Sequence, residues 1–96
     1  MLNIDTIQEA RERIASRIHR TPIITSRQFN EAAGKEVFFK CENFQRAGAF
    51  KIRGGLNLIG SLDAEGRRGV ITASTGNHGQ SIALACQREG VPCTVV

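Results

Sequence analysis

Residues 69–96 constrain the fold more than any other part of the chain. Gly69-Val70-Ile71-Thr72-Ala73 is a short apolar run rich in β-branched residues, which predicts a buried strand. Ser74-Thr75-Gly76-Asn77-His78-Gly79 follows as a tight polar loop. Gln80 to Glu89 then places Ile82, Ala83, Ala85 and Cys86 inward at helical spacing. Gly90 closes that helix, Pro92 blocks its continuation, and Cys93 to Val96 begins another strand. Two strands joined by a helix form a βαβ unit, in which the strands run parallel.

The alternation extends upstream. Thr6-Ile7-Gln8-Glu9 fits a capping box, and Ile7, Ala10, Ile14 and Ile18 form one stripe, so a helix is expected from about Thr6 to Arg17. Thr21-Pro22 ends it. Ser26 caps a short second helix that closes at Gly34, and Glu36 to Glu42 predicts a strand. Asn43 to Gly48 is a polar connection, and Asp63 to Gly69 a charged turn. Between them Phe50, Ile52, Leu56, Ile59 and Leu62 predict a helix. Each glycine of Gly54-Gly55 inside it costs about 1 kcal/mol relative to alanine, which suggests close backbone approach to another element or a ligand. The class is α/β: an open, mostly parallel sheet with flanking helices. A chain that stops inside a strand, with no helix to cover it, is expected to be a piece of something larger.

Composition removes other classes. A chain of 96 residues, 41% hydrophobic and 23% charged, with mean hydropathy −0.19, is neither disordered nor fibrous. No apolar run approaches a membrane span, and the N-terminus MLNIDTIQEARER has no signal-peptide core, so no membrane partner is expected. The net charge of +4 is spread over both halves, which suits small anionic ligands as well as nucleic acid. Gly76-Asn77-His78-Gly79 formally matches an RNA-binding G-x-x-G loop. It follows a strand, however, and its middle residues are not basic, so no nucleic acid is expected. Cys41, Cys86 and Cys93 are odd in number and form no C-x-x-C, which points to a reducing cytoplasm. With His19 and His78 they lack metal-ligand spacing, so no metal is expected.

Two places can carry chemistry. The 74–79 turn lies at the carboxyl end of a strand and opens a helix, where free N–H groups and the positive dipole end attract anions. The Ser74 and Thr75 hydroxyls and the Asn77 amide add donors. An anion cradle for a carboxylate or phosphate and an ordinary N-capped turn both fit. The second place is Lys51, between Phe50 and Ile52 and close to Arg53. Desolvation and a neighbouring cation both favour the neutral, nucleophilic amine. A snorkelling surface lysine fits as well. His19 suits a helix end, and His78 either a general base or a backbone role in the turn.

Phe39-Lys40-Cys41-Glu42-Asn43-Phe44-Gln45, Gly48-Ala49-Phe50-Lys51-Ile52-Arg53-Gly54 and Ser74-Thr75-Gly76-Asn77-His78-Gly79-Gln80, in that order, resemble the fold-type II pyridoxal-phosphate enzymes. The branch they look like is that of the serine/threonine dehydratases and serine racemases. His19-Arg20-Thr21-Pro22 with Thr25-Ser26 adds to the likeness, which runs from about Thr6 to Val96. The resemblance implies that Lys51 holds pyridoxal 5′-phosphate as a Schiff base and acts as the catalytic base. It further implies that Asn77 bonds the cofactor's phenolic oxygen and that Phe50 packs beside its ring. Ser74, Thr75 and the backbone of Gly76 and His78 would hold the substrate carboxylate.

The reaction implied is dehydration and deamination of L-threonine or L-serine to a 2-oxo acid and ammonia. Serine racemase and hydroxyaspartate dehydratase are the alternatives. Thr75 stands where serine racemases carry a serine, and its β-branching restricts the hydroxyl, which favours dehydration. Residues 1–65 would be part of the larger cofactor domain and residues 66–96 the start of the smaller one. The family's chain is several times longer and carries its glycine-rich phosphate loop beyond Val96. This chain alone is therefore expected to bind cofactor poorly and not to turn over, and the full-length protein to be a homo-oligomer.

Overall fold

Asn3, not Thr6, begins the first helix. In a computed structural model of the chain, which describes residues 1–96, the Asn3 side chain accepts from the Thr6 N–H at 2.9 Å, and Thr6 Oγ1 accepts from the Asn3 N–H at 3.1 Å. Asn3-x-x-Thr6 and Thr6-x-x-Glu9 share one spacing, and asparagine caps at least as well as threonine, so the earlier box forms. Helix α1 therefore spans Ile4–Ile14, with a 3₁₀ turn over Ala15–Arg17.

The remaining elements follow the expected order with shifted ends. Strand β1 (Ile23–Ile24) lies after Thr21-Pro22, where no strand was expected. Helix α2 (Arg27–Ala33) starts from the Ser26 cap and closes at Gly34. The strand expected over Glu36–Glu42 shrinks to β2 (Phe39–Lys40), because its partner β1 offers only two residues; Ile23 pairs with Lys40 and Ile24 with Phe39, antiparallel. Helix α3 covers Lys51–Gly60, strand β3 Val70–Thr72, helix α4 Asn77–Glu89 and strand β4 Cys93–Val95. β3 and β4 pair in parallel with Val70 opposite Cys93, as the βαβ reading requires. The strands thus form two separate two-stranded sheets, the parallel pair β3–β4 and the antiparallel pair β1–β2, where one open sheet is expected from the sequence.

The core lies between α3 and α4. Ile52, Leu56 and Ile59 meet Ile82, Ala85 and Cys86, with Ile14 and Val91 at the margins. Helices pack this closely only where side chains are small. A Cβ added at Gly55 would lie 3.1 Å from the Ser81 carbonyl oxygen, so the close approach inferred from Gly54-Gly55 falls at Gly55; Gly54 faces open space. Cys86 behaves as a core hydrophobe, and burial together with neighbouring Cys93 pushes its thiol up to about 11. Glu89 ties Arg17 and Arg67 together beneath this core.

The chain is extended, 52 × 32 × 24 Å, with a radius of gyration of 16.2 Å against roughly 12.5 Å for a compact domain of this length. Only 15 of 96 residues are buried, so much apolar surface stays open. β3 is less buried than expected: Thr72 is inside, but Ile71 is 77% exposed. Val95, Val96, Ile23 and Ile24 are exposed as well. No helix is long and apolar enough to cross a membrane.

Candidate active site at the starts of two helices

The chain enters α3 through two successive left-handed residues, Ala47 (φ 60°) and Gly48 (φ 67°), and an extended Ala49. This turn sets Phe50 at the N-cap and Lys51 at the first helical position. The Lys51 Nζ lies 5.2 Å from the centre of the Phe50 ring, a cation–π contact. The desolvation expected at Lys51 is absent from this chain, since the residue is exposed. Arg53, expected to act on Lys51 as a free cation, is instead paired with Glu42.

α4 starts three residues earlier than its apolar pattern indicates, so Asn77, His78 and Gly79 form its first turn and not the end of a loop. Gly76 takes the N-cap in an extended conformation, and its N–H donates to Ser74 Oγ at 3.2 Å. A Cβ at Gly79 would sit 2.5 Å from the Ser74 carbonyl oxygen, so the turn closes only over a bare backbone. Gly79→Ala is expected to open this turn and to cost about 1–2 kcal/mol in chemical denaturation. No side chain caps α4. The first-turn N–H groups of Asn77, His78 and Gly79 are therefore left for an external acceptor.

The two helix starts meet across one cleft of about 450 Å³, within the size range of small-molecule sites. Phe50 at the N-cap of α3 and Lys51, Gly54 and Leu58 within it face His78 and Ile82 of α4 across it. Of the residues singled out in the sequence, Phe50, Lys51 and His78 therefore share one space. Ser74, Thr75, Gly76 and Asn77 do not line it; they form the adjoining turn, with Ser74 half-buried and the other three exposed.

A polar network beneath the cleft was not foreseen. Glu42 accepts from Arg53 Nε, from Arg53 Nη2 at 3.1 Å and from Thr21 Oγ1 at 2.6 Å. The Arg53 guanidinium holds the Glu42 carboxyl at about 2, below the ordinary 4.5, against burial that pushes it up. Gln45 accepts from the His19 N–H at 2.9 Å and donates to the His19 carbonyl at 2.8 Å. Lys40 Nζ donates to the Thr21 carbonyl at 2.7 Å. The His19-Arg20-Thr21-Pro22 segment is thus clamped by the Lys40–Gln45 segment, and Arg53 ties both to the first turn of α3. The only sequence signal for this was that both segments stood out as motifs.

Comparison with known proteins bears on this geometry. The family described as "Pyridoxal-phosphate dependent enzyme" matches residues 14–96. An L-threonine ammonia-lyase of Geobacter sulfurreducens is 51% identical over 96 residues, 99% of this chain and 24% of that protein. A beta-hydroxyaspartate dehydratase of Paracoccus denitrificans is 51% identical over 88 residues, 91% of this chain and 28% of that protein. The structure of maize serine racemase superposes with a TM-score of 0.91 at 50% identity, covering 97% of this chain and 30% of that one. The chain therefore spans between about a quarter and a third of the length of the proteins it matches.

Proposed function

Because the chain belongs to the family of pyridoxal-phosphate-dependent enzymes, we propose that it provides the lysine side of the active site of an L-threonine/L-serine dehydratase. In the full-length protein this enzyme would release a 2-oxo acid and ammonia. The observation that carries the reading is the cleft shared by Lys51 and His78. The residues lining the cleft and the α4 start suit the cofactor. Lys51 supplies a primary amine at the cleft, Phe50 an aromatic ring beside it, and the α4 start three uncommitted N–H groups.

When bound, the cofactor supplies an electron sink for the charge left at the substrate Cα. Lys51 would hold it, and the Lys51 Nζ would take the Cα proton. The Asn77 side chain would donate to the phenolic oxygen of the cofactor. Ser74 and Thr75, with the backbone of Gly76 and His78, would hold the substrate carboxylate, the Gly76 N–H exchanging Ser74 Oγ for it, so that the uncapped α4 start meets a negative charge. On this reading residues 1–65 belong to the larger domain and residues 66–96 open the smaller one, and the assembled protein is a cytoplasmic homo-oligomer. Its remaining chain would cover Ile71, Val95 and Val96.

Serine racemase and hydroxyaspartate dehydratase are the second readings, each favoured by a relative of that name. Thr75 supports dehydration, because a threonine hydroxyl has less rotamer freedom than a serine hydroxyl to serve as a base on the opposite face. Product analysis of the full-length protein with L-threonine, L-serine and 3-hydroxyaspartate tests the choice. The expected result is 2-oxo acid with ammonia from the first two. D-serine as the main product from L-serine would overturn it in favour of racemisation, and turnover of 3-hydroxyaspartate alone in favour of the third activity.

A further inference from the structure

A second concavity, of about 390 Å³, lies away from the 74–79 turn and is lined by positive side chains from four segments. Arg11 comes from α1, His19 and Arg20 from the extended stretch after it, Lys40 from β2 and Arg53 from α3. Three arginines elsewhere are ion-paired, Arg17 and Arg67 with Glu89 and Arg27 with Glu31, while others such as Arg68 and Arg88 stand alone without neighbouring cations gathered in one concavity. On this wall only Arg53 has a carboxylate partner. Arg53 uses Nε and Nη2 on Glu42 and leaves Nη1 without a partner in the chain. Lys40 spends one of its three hydrogens on the Thr21 carbonyl. Arg11 and Arg20 have no hydrogen-bond or ion-pair partner.

Like charges brought to one concavity repel, and the Glu42 carboxylate offsets only that of Arg53. The Thr21–Glu42–Arg53 network and the Gln45 clamp hold three of the contributing segments in place, so the charges cannot simply spread apart. Arginine forks are planar and suited to two oxygens of one tetrahedral anion, and lysine adds a point charge. We propose that this pocket binds a multiply charged phosphate-type oxyanion. The site is separate from the anion cradle of the α4 start and does not depend on the chemistry of Lys51. Arg53 lines both spaces and joins them.

Calorimetric titration of the full chain with sodium pyrophosphate, at constant ionic strength set by sodium chloride, tests the site. Saturable binding is expected. Arg11→Gln together with Arg20→Gln should weaken it at least tenfold. The matched pair Arg27→Gln with Arg88→Gln, which removes the same net charge elsewhere, should leave it within twofold. Amide chemical shifts of the unmutated chain give a readout that no variant can spoil by misfolding, and they should move around residues 11–20, 40 and 53. Absence of saturable binding, equal loss in both variant pairs, or shifts confined to residues 74–79 would overturn the proposal.

Discussion

Lys51→Ala in the full-length protein is expected to abolish turnover of hydroxy-amino acids and the visible absorption of a lysine-bound cofactor. The argument rests on what else the cleft offers. Arg53 and His78 also line it. Arginine stays protonated in proteins and cannot act as a nucleophile, and histidine is not a primary amine. No other lysine reaches this space: Lys40 is committed to the Thr21 carbonyl, and Lys35 stands after α2. Lys51→Arg should fail equally, because it keeps the charge and reach but not the chemistry. Lys51 is exposed in this chain, so either change should shift the stability of the cofactor-free protein by no more than about 0.5 kcal/mol. Lost absorption, with a melting temperature equal to that of the cofactor-free parent, is the expected pair of results. Retained absorption and turnover in Lys51→Ala would remove the assignment.

The elements legible in the sequence were those with local signals. Ser26, Gly34 and Gly90 mark helix ends through their own backbone preferences, and the stripes Ile52-Leu56-Ile59 and Ile82-Ala85-Cys86 mark the faces that meet. What could not be read depends on partners distant in sequence. Ile23-Ile24 is a strand only because Phe39-Lys40 lies beside it. Two capping boxes overlap at Thr6, and nothing in their spacing chooses between them. Gly79 disfavours a helix start by propensity, yet packing of the Ser74 carbonyl requires a glycine there, and tertiary closure overrides the local cost. Lys51 and the 74–79 turn were both visible in the sequence. Their meeting depends on Gly55 letting α3 approach Ser81 of α4, and the glycine pair hinted only that some approach occurs.

The network around Glu42 was the least legible part of the fold, and it gives the second large effect. Glu42→Gln is expected to cost the folded chain about 2 kcal/mol at neutral pH. The Glu42 carboxyl titrates at about 2 in the fold against 4.5 ordinarily, a difference equivalent to about 3 kcal/mol. The Arg53 side chain is 34% exposed and the Glu42 side chain 16%, and solvent at the arginine reduces the usable part to about 2 kcal/mol. Because folding lowers this pKa, the stabilisation is fully present above about pH 4.5 and drains away as pH falls through about 2. Denaturant titrations from pH 7 to pH 2 should therefore show the parent losing stability between those limits. Glu42→Gln, which has no such proton to take up, should start lower and change less across the window. The two curves should come close together near pH 2, where the parent's carboxyl is about half protonated in the fold and most of its charge-dependent stabilisation has gone. A constant gap down to that pH would mean that shape and hydrogen bonding at position 42, and not its charge, hold Thr21 and the start of α3 together.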